Sequence, residues 1–193
     1  MNSSTLIILS AAFIFISTSN PQNPDKQIYL SVSPLKSFST GDFEDIWNAD
    51  IGIAGEFRFD HPIGQLGAGL SLMKFDSKNY LTPGFYGLDY YFLYRNHFEL
   101  FSGLSLIAGF DFGIYEFRFE DGDFYESHAE QIEREFALKI VSGFDFKIYN
   151  SWYAEFGAGY SYIFTKKKIE LLSFRIGLAK SFTAPDWLSE FLE

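Results

Sequence analysis

Glu56 and Arg58 stand two positions apart, as do Asp145 and Lys147, and Asp89, Glu99, Asp111, Lys139, Glu155 and Arg175 hold the same parity against apolar neighbours. A spacing of two puts side chains on one face of a β-strand, because successive residues point to opposite sides. Charges of both signs enclosed on such a face must pair, since an unpaired buried charge is strongly unfavourable. The chemistry open to them is therefore a crossing network of ion pairs. We expect Glu56, Arg58, Asp89, Asp111, Lys139, Asp145, Glu155 and Arg175 to form it, with Arg175 central and held by Glu155 on the neighbouring strand. Such a core plugs rather than conducts; a water-filled path of slight cation preference is the alternative.

Other groups offer less. His128 lies beside Ser127 and Glu130, and an outer-leaflet lipid enzyme would need a histidine with a nucleophile or carboxylate partner. Neighbours in one loop rarely hold hydrogen-bonding geometry, and His61 and His97 fall in short turns at the opposite rim, so no catalytic residue is assigned. The acidic run Glu120, Asp121, Asp123, Glu126, Glu130 and Glu133 fits no EF-hand spacing, and we read it as a solvated loop without a metal. Lys166, Lys167 and Lys168 form a compact basic cluster suited to lipopolysaccharide phosphates. No cofactor is expected. The chain has no cysteine, which excludes disulfides, thiolate zinc sites and an acylated lipoprotein anchor. A net charge of -10 argues against nucleic acid as a partner.

The elements that must position these residues are strands. Leu172, Phe174, Ile176 and Leu178 alternate with Ser173, Arg175, Gly177 and Ala179. Phe136, Leu138, Ile140, Phe144 and Phe146 alternate with Ala137, Lys139, Val141, Gly143 and Asp145. A chain that is 20% aromatic yet 21% charged must segregate its rings by face. We predict eight strands: Ile28 to Leu35, Asp50 to Phe59, Leu66 to Phe75, Phe85 to Tyr94, Phe98 to Phe117, Arg134 to Ile148, Trp152 to Phe164 and Ile169 to Phe182. Asp60 to Gln65, Arg95 to His97 and Tyr149 to Ser151 read as short turns, while Lys36 to Ala49, Asp76 to Gly84 and Arg118 to Glu133 read as long loops. Thr165 to Lys168 is short for the loop side. Strands of this length, alternating apolar and polar, with short turns on one rim and long loops on the other, describe an all-β, eight-stranded antiparallel up-and-down transmembrane barrel.

The ends complete the plan. Leu6 to Ile16 is nearly all apolar and leads into Ser17, Thr18 and Ser19, as an export signal does, although Met1 to Thr5 lacks a basic residue. We place the signal peptide at 1–19, a short segment at 20–27, the barrel at 28–182 and a periplasmic tail at 183–193. In that tail Trp187, Leu188, Phe191 and Leu192 fall on one side at helical spacing, predicting a short amphipathic helix.

By residues 28 to 182 the chain resembles the small eight-stranded outer-membrane barrels of bacteria, the OmpA/OmpX/OmpW-like group. The resemblance rests on pattern, with one sharper element. Arg175, Gly177 and Phe182 match the group's final-strand assembly signal, while Lys180 stands where an apolar residue is expected. It implies a monomer in the bacterial outer membrane, inserted by the outer-membrane assembly machinery and contacting membrane lipid and lipopolysaccharide. The expected role is non-catalytic, in envelope integrity or surface interaction through external loops; a minor pore and a lipid A-modifying enzyme are the alternatives.

Overall fold

A computed structural model describes residues 27–40, 42–79, 82–120, 132–165 and 168–185. Positions 1–19, expected to be a signal peptide, and nearly all of the 20–27 segment lie outside the described residues. The strands are β1 (Gln27–Ser39), β2 (Trp47–Ala49), β3 (Ile51–His61), β4 (Gly64–Ser77), β5 (Phe85–Phe101), β6 (Leu104–Phe119), β7 (Ile132–Tyr149), β8 (Trp152–Ile163) and β9 (Ile169–Thr183), with one short helix, α1 (Asp42–Ile46), between β1 and β2.

Every neighbouring pair is antiparallel. β1 bonds to β3 and β9, the meander runs on from β3 to β9, and the β4–β5 pairing completes the ring. Eight strands therefore close into a barrel with no free edge, which satisfies the backbone without an outside partner. The three-residue β2 extends the ring beside the end of β4.

Three connections are two-residue turns, at Pro62–Ile63, Ser102–Gly103 and Asn150–Ser151. Gly103 and Asn150 hold positive φ, 84° and 46°, which glycine and asparagine accept at little cost. One of these turns corrects the sequence reading. The strand pair does not break at Arg95 to His97: β5 runs on to Phe101 and the chain turns at Ser102 instead. Polar residues in succession look like a turn, but Gly103 is the residue that can make one. β1 likewise extends to Ser39, shortening the first loop, and part of that loop folds as α1.

The expected helix over 183–193 is not found where the chain is described. Thr183 still belongs to β9, and Ala184 and Pro185 are irregular. The remaining positions of that expectation, 186–193, lie outside the described residues.

Parity decides the two faces. Outward positions carry Phe92, Ile140 and Ile176, which are 63%, 64% and 60% exposed, together with Phe57, Phe112, Phe144, Phe156 and Phe174. Inward positions carry the buried ions and a cluster of rings. The barrel is apolar outside and polar within over much of its height, the reverse of a soluble barrel.

Inward glycines make this wall narrow. A Cβ at Gly69 would lie 2.4 Å from the ring of Tyr91, and one at Gly157 would lie 2.8 Å from Nε of Arg175. Large lumen side chains occupy the space that those missing methyl groups leave.

Candidate functional site: an ionic lattice beneath an aromatic stopper

β3 turns Glu56 and Arg58 inward, and the other strands send their partners across to meet them. Arg175 from β9 and Arg95 from β5 converge on Glu56, the first as a direct hydrogen bond and the second at 3.5 Å. Arg58 Nε stands 3.9 Å from the same carboxylate, and the Tyr91 hydroxyl donates to it over 3.1 Å. Glu56 is thus the hub of the network. Arg58 gives its close hydrogen bond to Glu155, and Arg95 gives one to Asp111.

A second branch leaves through β7. Lys139 Nζ donates to Asp89 over 2.8 Å, lies 3.8 Å from Asp111, and sits 4.5 Å from the centre of the Tyr91 ring. Lower down, His97 Nδ1 lies 3.4 Å from Asp145 Oδ2. In this lattice five carboxylates, Glu56, Asp89, Asp111, Asp145 and Glu155, face four permanent cations, Arg58, Arg95, Lys139 and Arg175. Asp145, the carboxylate without a direct arginine or lysine bond, is the one beside histidine. Since guanidiniums fork around carboxylates while fixing their own planes, the lattice ties six strands together across the lumen.

The structure rearranges the expected partners. Arg175 meets Glu56 past the intervening β1, and Glu155 goes to Arg58 past β9 and β1, because strand tilt in a closed barrel brings non-adjacent strands level. Arg95 is wholly buried in the lattice and was absent from the sequence reading. Its signal was available: the alternation Asp89, Tyr91, Leu93, Arg95, His97 runs unbroken into the supposed turn. Glu99 keeps lumen parity but is exposed at the rim, beyond the lattice, as is Lys147.

Above the lattice, toward the long loops, the lumen turns apolar. Phe75 and Phe85 stack with ring centres 4.6 Å apart, and Phe85 meets Phe117 at 5.4 Å. α1 folds into this mouth. Its Phe43 is buried at 5.7 Å from Phe75 and 4.9 Å from Trp47, whose indole N–H donates to the Pro83 carbonyl at 2.9 Å. The same parity that places Asp111 inward places Tyr115 and Phe117 inward, so this stopper too was encoded in the alternation. Between stopper and lattice is a cavity of about 50 Å³, bordered by Ser37, Ser71, Asp89, Lys139, Ser173 and Arg175. At roughly 10–15 Å³ of such space per water, it has room for a few water molecules.

The other candidates do not join this site. Lys168 is exposed at the loop rim before β9, while Lys166 and Lys167 lie outside the described residues. So do Ser127, His128 and Glu130 and most of the acidic run. His61 ends β3, and its Nδ1 accepts the Ile63 N–H at 3.4 Å. Of the final-strand residues, Gly177 faces the lumen against Ser33, and Phe182 faces outward. Lys180, also outward, lies 5.3 Å from the Trp152 ring and 5.0 Å from the Phe182 ring. An apolar stem under a cation seated on two rings explains how lysine replaces an apolar residue there.

No protein-family model matches the chain, and no curated protein matches its sequence. Solved structures share the fold. Neisserial surface protein A superposes with a TM-score of 0.56 at 10% identity, over 81% of this chain and 97% of that one. A major outer membrane protein from Thermus thermophilus gives 0.53 at 10% identity, over 81% and 99%. The outer membrane protein OprG from Pseudomonas aeruginosa gives 0.50 at 14% identity, over 83% and 97%.

Proposed function

We propose that the chain is a bacterial outer-membrane barrel whose lumen is closed and whose work is done on its outer surfaces, in envelope integrity or surface interaction. The carrying observation is the sorting of side chains across one wall: rings outward, ions enclosed. In water that arrangement would expose a belt of phenylalanine and isoleucine while taking nine charges from solvent. In a bilayer the exposed rings meet lipid, and the ions are kept from it and offset their burial by pairing within. The likeness of fold to outer-membrane proteins supports the same setting.

Closure is supported by two layers in series. The stopper of Phe43, Trp47, Phe75, Phe85 and Phe117 fills the mouth on the long-loop side. The lattice around Glu56 fills the half nearer the short turns. An eight-stranded interior is only wide enough for its own side chains, so neither layer needs help to exclude solutes. The reading is non-catalytic, and the likeness of fold to outer-membrane barrel proteins supports it. On this topology the long connections face outside the cell and the short turns face the periplasm. Monomeric insertion through the final strand, with Arg175, Gly177 and Phe182 as its signal, belongs to the same reading.

The test is conductance of the purified chain in a planar bilayer. Folded, inserted protein is expected to give no discrete current steps. Regular steps from the unmodified chain would replace this reading with a pore.

A further inference from the structure

The outward wall is apolar over most of its area, yet Arg118 on β6 and Arg134 on β7 stand on it near the long-loop rim. The parity is unambiguous, since Phe112, Ile114 and Phe136 of the same strands face outward with them. Glu116 is paired in register with Arg134, and Arg118 with Ile132. Both arginines donate through Nε to Glu116, each over 2.6 Å. The carboxylate is buried, its side chain 4% exposed, while the side chains of Arg118 and Arg134 are 51% and 65% exposed.

Glu116 therefore acts as a strut. It takes the Nε donor of each guanidinium on a separate carboxylate oxygen, and each guanidinium has further donors besides. The cluster carries a net charge of +1, and the anion within it is screened from outside by the two cations it holds. Tyr86, in register with Arg118 on β5, adds a half-exposed ring beside the pair. Ile114 and Phe136 give an apolar floor on the side toward the barrel middle, while Ile132 stands level with Arg118 at the rim.

A fixed pair of guanidiniums above an apolar floor has one well-matched occupant: a phosphate attached to acyl chains. Planar guanidinium forks bind phosphate oxygens bidentately, and the apolar floor accepts hydrocarbon directly beneath. A free anion would use the first feature and ignore the second. Pre-orientation by Glu116 lowers the entropy that two long side chains would otherwise lose on binding. We infer that Arg118 and Arg134, braced by Glu116, bind the phosphorylated headgroup of an outer-leaflet lipid. This inference rests on the membrane reading above. It places the contact on the β6–β7 wall.

The experiment uses the full chain purified in non-ionic detergent, with native mass spectrometry reading the fraction that carries one lipid. Bisphosphorylated lipid A is expected to be retained about tenfold more than lipid A stripped of its phosphates. Arg118→Gln with Arg134→Gln should bring the two to parity, while the double lysine variant keeps an intermediate preference, having charge without the fork. Retention of the folded state in each variant is read from its electrophoretic mobility without boiling. If the double variant does not fold, Arg134→Gln alone serves, with a loss of about threefold expected. Undiminished phosphate preference in the folded variant overturns the proposal, as does displacement of the lipid by an equal concentration of inorganic phosphate. A chain that needs no detergent to stay dissolved would instead overturn the membrane reading itself.

Discussion

At the scale of single residues, Glu56 carries the greatest burden. It is buried and met by Arg175, Arg95, Arg58 and the Tyr91 hydroxyl, so removing its charge leaves guanidiniums facing one another with no anion between them. Glu56→Gln should destabilise the barrel by about 3–5 kcal/mol, as breaking one side of a buried ion pair does. A fall in the urea midpoint of unfolding in lipid vesicles would measure it. Adding Arg175→Gln should restore part of the loss, because the two residues share one interaction and their effects cannot add. Gly157 matters for space alone. A Cβ there would lie 2.8 Å from Arg175 Nε, so Gly157→Val should cost about 1–3 kcal/mol by pushing the guanidinium off Glu56. The same midpoint reads this change, and little further loss is expected when Arg175 is already glutamine.

At the scale of elements, each strand carries a share of two layers, and the layers fail separately. Phe85 touches Phe43, Trp47, Phe75, Phe117 and Phe119 in the stopper. Phe85→Ala should cost about 3–5 kcal/mol by leaving a cavity in that mouth. It should give no current steps in a planar bilayer, because the lattice around Glu56 still closes the other half. Most strands were legible from alternation, and their pairing follows from chain order with short connections. The turn at Ser102–Gly103 was misread because Arg95, Asn96 and His97 form a polar run inside a strand. There, polarity marks contact with other buried ions rather than with water. α1 was hidden for another reason: it spans five residues, and its two apolar positions, Phe43 and Ile46, are too few to stand out as a periodic pattern. Which carboxylate each arginine takes was not legible, since that depends on how far strand tilt offsets β3 from β8 and β9.

At the scale of the whole molecule, a closed ring of strands sorts its side chains by face: the exterior is apolar, and the interior is ionic in one half and aromatic in the other. The ring of eight strands and the inward placement of Glu56, Asp111 and Arg175 are legible in one alternating pattern. The choice of which face meets solvent follows from volume, because an interior of this width cannot hold the outward rings. Phe112→Arg tests that choice energetically. An arginine on the lipid face near mid-height should cost about 2–4 kcal/mol of stability in vesicles, whereas an exposed site on a soluble barrel would tolerate it within about 0.5 kcal/mol. The most direct measurement uses the absence of cysteine to place a single nitroxide at Phe92, which is 63% exposed on the outward wall. In lipid vesicles the label should collide freely with dissolved oxygen and be shielded from a water-soluble nickel chelate. Free collision with the chelate, or a label immobilised inside the protein, would contradict the account.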